Sequence, residues 1–130
     1  MAKILLIVSL LAALAGGAQA LGEAFSLRVG EASSLEDGEL RLRFLAVPRD
    51  SRCPRGTNCL VAGEAHVVVQ VELGSQRAEL LFKVPPDGGD TQSFDRFRIT
   101  VTALEPQTEA ERRIETSDYV ATLKVSSEAP

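Results

Sequence analysis

Apolar and polar residues alternate along most of the chain with a period of two, the pattern of half-buried strands, and not with the 3.6 period of helices. Phe25, Leu27 and Val29 alternate with Ser26 and Arg28; Gly30 punctuates the run, and Leu35-Glu36-Asp37-Gly38 reads as a turn. Over residues 40–46, Leu40, Leu42, Phe44 and Ala46 face one way and Arg41 and Arg43 the other. Pro48 is expected to end that strand, because proline has no N–H to give to a ladder. The longest expected strand covers residues 61–73, with Ala65, Val67, Val69, Val71 and Leu73 inward and Glu64, His66, Gln70 and Glu72 outward. Gly74-Ser75 is a tight hairpin turn into residues 77–84, where Ala78, Leu80, Phe82 and Val84 share the core face. Pro85-Pro86-Asp87-Gly88-Gly89-Asp90 concentrates turn formers, so no regular element should cross it. Two further strands follow, one with Phe97, Ile99, Val101 and Ala103 inward, the last with Tyr119, Ala121, Leu123 and Val125 inward.

One stretch has helical character. Thr108 followed by Glu111 matches a capping box, and Glu109 stands one turn before Arg113. With Ile114 almost its sole apolar side chain, the segment is too short and too polar for a free helix and reads as a solvated loop holding a turn or two. Strands separated by turn signals, without alternating helices, predict an all-β antiparallel fold. Periodicity alone leaves sandwich and barrel open; the expected architecture is a single β-sandwich of 6–7 strands, Greek-key and immunoglobulin-like, with one disulfide-closed loop.

The first twenty residues do not fit that pattern. Lys3 supplies a positive start, residues 4–14 are apolar except Ser9, and Ala18-Gln19-Ala20 is a small-x-small site, so residues 1–20 are expected to be a signal peptide cleaved after Ala20. The apolar run is well short of the ~20 residues that span a bilayer. Residues 21–130 are then one domain, periplasmic or secreted, with no transmembrane segment after cleavage; Leu21 and not Cys stands directly after the cleavage site, so no lipid anchor is expected there either. The formal net charge of the whole chain is −4, and loss of Lys3 makes the remainder more acidic. A nucleic-acid partner is therefore not expected, since phosphate backbones call for a basic footprint.

Chemistry is sparse: two Cys, one His, one Tyr and no Trp. Asp50-Ser51-Arg52-Cys53-Pro54-Arg55-Gly56-Thr57-Asn58-Cys59 lies between two strong strands, and in an exported protein Cys53 and Cys59 read first as a disulfide. Pro54 and Gly56 suit a tight loop, one fixing φ and the other accepting positive φ. A metal site from Cys53, Cys59 and His66 lacks the usual paired spacing. A redox role lacks Cys-x-x-Cys. Arg55-Gly56 could be a basic bond presented to a protease by a closed loop, although Arg49, Arg52 and Arg55 have a plainer use in pairing with Asp50 and Glu64. Any triad or general base would have to run through the single His66, which points outward, and Asp87 and Asp90 sit where turns favour Asp for backbone reasons. No catalytic residue, metal or cofactor is expected.

The motif resembles one found in a group of small exported bacterial proteins, many of them lipoproteins: Asp50-Ser51-Arg52-Cys53-Pro54, a second Cys at Cys59, then Ala62-Gly63 entering a long strand. The likeness extends to residues 27–38, and to residues 97–125 with Glu105-Pro106 and Asp118-Tyr119, so it covers most of the chain beyond the leader. This chain has Val61 where the group often has Trp before the Ala-Gly pair, and it lacks the lipidation Cys. The resemblance implies a disulfide-bearing β-domain of the envelope and brings no activity with it. It also makes Asp50, Arg52, Cys53, Cys59 and Gly63 one structural unit, with Asp50 capping the loop or pairing with Arg52 and Gly63 permitting a bulge. The expected function is a non-enzymatic binding or envelope-associated structural module whose partner is another envelope or extracellular protein; the alternative is a protease inhibitor presenting Arg55-Gly56.

Overall fold

The computed structural model describes residues 18–36 and 38–128. Most of the expected leader, residues 1–17, and Asp37 of the expected turn lie outside the described residues. Among the described residues nine strands form two sheets: β1 (Ala18–Gln19), β3 (Ala32–Leu35), β4 (Leu40–Asp50), β5 (Ala65–Leu73) and β6 (Gln76–Val84) in one, and β2 (Phe25–Arg28), β7 (Asp90–Phe94), β8 (Phe97–Glu105) and β9 (Val120–Ser127) in the other. Their orders are β1-β3-β4-β5-β6 and β2-β9-β8-β7. Every pair of these strands is antiparallel except β1 with β3. The architecture is an all-β sandwich in which β3 to β6 and β7 to β9 run as successive meanders, and β2 reaches across to lie beside β9.

The alternation read from sequence becomes the core. Leu40, Leu42 and Phe44 of β4, Val67, Val69 and Val71 of β5, and Phe82 of β6 meet Ile99, Val101, Leu123 and Val125 from the facing sheet, all fully buried. Removing these apolar surfaces from water is the main force holding the sheets together, at roughly 25 cal/mol per Å². Leu73 opposite Gln76 closes the β5–β6 hairpin through Gly74-Ser75, with Gly74 at φ 59°.

The chain departs from strict alternation at defined places, and each departure corrects an expectation. Pro48 does not end β4. Ala46 pairs with Val68 and Arg49 with His66, so Val47 and Pro48 together oppose one residue of β5, and a bulge is where a strand tolerates proline. In β8, Val101 pairs with Leu123 and Ala103 with Thr122; the extra residue, Thr102, reverses the facing, so Leu104 and not Ala103 is buried. The long central strand begins at Ala65, and Val61 is exposed in the preceding loop. Strands β3 and β7 went unseen because they hold few apolar residues: β3 buries Ser33 beside Leu35, and β7 has a single large apolar side chain, Phe94. No helix forms at Thr108; the helical turn comes later, as a 3-10 turn at Thr116–Asp118 whose capping box joins Glu115 and Asp118, and Glu109 pairs with Arg112, not Arg113.

Candidate functional site

Three connections gather at one end of the sandwich: residues 51–64 between β4 and β5, residues 85–89 between β6 and β7, and residues 106–119 between β8 and β9. The first is closed by the disulfide Cys53–Cys59, with Cα atoms 5.9 Å apart. Arg52 is the buried residue that fastens this loop. Its guanidinium grips Asp50 with two hydrogen bonds, Nε to Oδ1 at 2.9 Å and Nη2 to Oδ2 at 2.7 Å. Further donors reach the end of β8 and the connection that follows it, Nη1 to the carbonyl of Leu104 at 2.8 Å and Nη2 to that of Pro106 at 2.9 Å. The planar fork of arginine suits this arrangement, since a lysine could not donate in four fixed directions.

Tyr119 completes the cluster, its hydroxyl donating to Asp50 Oδ2 at 2.9 Å. Burial pushes the Asp50 carboxyl up, but hydrogen bonds from Arg52 and Tyr119, together with the Arg52 charge, outweigh it and hold the group below its ordinary value. Tyr119 moves the other way: burial, then its hydrogen bond to Asp50 and the nearby carboxylate charge, push the phenol up to about 12. Both shifts describe a proton fixed on Tyr119 and a charge fixed on Asp50. That is the chemistry of a structural lock and not of a group that exchanges protons near neutrality.

A second set of bonds binds the loop to its neighbour. Thr108 Oγ1 lies within hydrogen-bonding reach of the carbonyls of Arg52 and Cys53, at 3.1 and 3.2 Å, and the Arg55 amide donates to the carbonyl of Thr108 at 2.8 Å. Across the neck of the loop, the Ser51 and Cys53 amides donate to the carbonyls of Glu64 and Ala62 at 2.9 and 2.7 Å. Gly63 sits at φ 71°, and a Cβ there would overlap the Ser51 carbonyl. Its role is this close approach at the neck; the bulges lie on β4 and β8 instead.

The other sequence candidates are placed as follows. Pro54 and Gly56 belong to a tight turn in which the Thr57 amide and hydroxyl donate to the Pro54 carbonyl at 3.2 and 2.6 Å. Arg55 and Gly56 are its two central residues, with Gly56 at φ 77°. The Arg55 side chain is exposed, but the Arg55-Gly56 bond lies at the bend of this turn, and the Arg55 amide is already committed to the Thr108 carbonyl. Asp50 pairs with Arg52 alone, not with Arg49 or Arg55, and Glu64 pairs with His66, whose Nε2 lies 3.3 Å from Oε2 without the alignment of a hydrogen bond. The two sulfurs are bonded to each other, and among the described residues no group of three or more His, Cys, Asp or Glu is gathered that could hold a metal ion.

Sequence reasoning missed two features. Tyr119 and the carbonyls of Leu104 and Pro106 lie more than fifty residues from Arg52, and no local pattern links them. Leu60 and Val61 are more conspicuous: they follow Cys59 directly and stand out at 106% and 77% exposure, the most exposed of the large apolar side chains among the described residues. Their place outside the alternating run starting at Ala65 was the available signal. Beside them a cleft of about 480 Å³ opens between the disulfide loop and Pro86, Asp87 and Gln107. Among the described residues no helix is long and apolar enough to cross a membrane. Compared with protein-family models, with curated proteins and with solved structures, the chain matches none.

Proposed function

We propose that the protein is an exported, non-enzymatic binding module that inserts the Leu60-Val61 tip into an apolar recess on another envelope or extracellular protein. The observation that carries this reading is the exposure of two consecutive large apolar side chains on a loop held from three sides. Exposed, they add nothing to folding; buried by a partner, each contributes about 1.5–3 kcal/mol. The disulfide, the Arg52 lock and the Thr108 bonds fix the loop before it meets anything, which lowers the ordering cost of association. The leader-like first twenty residues and a disulfide both suit an oxidising, extracytoplasmic compartment. The wild-type domain, immobilised in oxidised form, is expected to retain a component of envelope extract that the Leu60→Ser/Val61→Ser variant does not, with melting temperatures the same. Equal retention by the variant would refute the reading.

A second reading, inhibition of a trypsin-like protease, draws on the exposed Arg55 side chain inside a closed loop. The bent Arg55-Gly56 turn counts against it, because such proteases take their substrates extended. Titrating trypsin with wild type and Arg55→Ala decides the matter: stoichiometric inhibition lost in the variant would make this the function.

A further inference from the structure

We propose that the outer edge of β3 is a strand-acceptor site, filled in the full-length chain by residues 18–19 and opened by cleavage after Ala20, which takes an extended peptide with small side chains running parallel to β3. Ala18 pairs with Ser34 and Gln19 with Leu35, so β1 lies on an edge that would otherwise end the sheet. The pairing is the sole parallel one between strands described here, in a sandwich otherwise built of antiparallel neighbours. The same Ala18-Gln19-Ala20 segment carries the small-x-small cleavage pattern, so the chain's own occupant is the piece expected to be removed.

The edge is built to accept a strand. Sheets usually guard an edge with charge, proline or a cover. Among the other edge strands, β2 carries Arg28, β6 carries Arg77, Glu79 and Lys83, and β7 carries Asp90; β3, Ala32-Ser33-Ser34-Leu35, carries no charge and no proline. Its unguarded amides and carbonyls can be satisfied by an added strand, the mode by which extended peptides join a sheet. A cleft of about 440 Å³ flanks the pairing, lined by Gln19, Ala20, Leu21, Ser34 and Leu35 among others. Among the described residues every fully buried member of the core lies between Phe25 and Val125, so residues 18–20 supply none of them. The Gly22 amide donates to the Val125 carbonyl at 2.8 Å, holding the new N-terminal end beside the groove. The site is independent of the disulfide loop, for β4 pairs with β5 through Leu40–Leu73 near one end and Asp50–Ala65 at the other.

The proposal rests on cleavage after Ala20 and not on the loop-end reading. The test uses ¹⁵N-labelled residues 21–130 titrated with an acetylated peptide of the chain's residues 15–20. Amide shifts confined to residues 33–36 are expected, absent with a Gln19→Pro peptide and absent in a chain that begins at Ala18 and fills its own edge. No shifts up to ~5 mM, an affinity too weak to matter, would overturn the proposal, as would equal shifts with the Gln19→Pro peptide. Concentration-dependent dimerisation of residues 21–130 in sedimentation, blocked by residues 18–20, would also overturn it by making a second copy the occupant.

Discussion

Tyr119 is the single tyrosine in a chain without tryptophan, so its ionisation can be followed by phenolate absorbance alone. The native protein should titrate near pH 12, where burial and the Asp50 carboxylate place it, against about 10 for an unfolded chain. Stability linked to this group is complete below the unfolded value and is lost as pH rises through the folded one. Asp50→Asn should bring the native midpoint down toward 10, because the carboxylate's hydrogen bond and charge both favour the protonated phenol. Asp50 itself has the opposite sign: held below its ordinary value, it stabilises the fold above about pH 4 and loses that contribution as acid protonates it. Gly63→Ala should cost more than the roughly 1–2 kcal/mol of a left-handed alanine, since its Cβ also collides with the Ser51 carbonyl; urea denaturation measures it. Sequence suggested Asp50 with Arg52, two residues apart, and the long-range partner Tyr119 was out of reach of any local rule.

The disulfide loop has two restraints of unequal strength. Reducing Cys53–Cys59 releases a small ring and should cost about 2 kcal/mol on the chain-entropy estimate. Arg52→Ala strips the largely buried Asp50 of its cation and empties two carbonyl contacts, a loss of roughly 3–5 kcal/mol. Thermal melts of the reduced wild type and of oxidised Arg52→Ala should therefore rank the variant as the less stable, and the opposite order would show the ring to be the stronger anchor. Elements were legible where apolar residues kept their period, as in β5 and β6, and illegible where few apolar residues mark it, as in β3 and β7. Bulges also hid boundaries. A proline that ought to stop β4 is absorbed by two residues opposing one, and an extra Thr102 swaps Ala103 for Leu104 in the core.

The Asp50, Arg52 and Tyr119 lock spans both sheets, since Asp50 closes β4 while Tyr119 precedes β9 and Leu104 lies in β8. Loosening it should therefore reduce the cooperativity of the whole domain and not fray one loop; in Arg52→Ala, hydrogen exchange is expected to quicken at Val125 as well as at Cys53. The pairing of β2 with β9 has its own consequence. Phe25 meets Leu123 and Leu27 meets Ala121, so the second sheet lacks an outer member until residues 120–127 exist. Contacts of such long sequence separation form late and slowly. A ribosome that has made everything up to Tyr119 has therefore made a chain in which β2 still has no partner, and until β9 follows the polypeptide stays open enough to be drawn, end first, through a narrow channel.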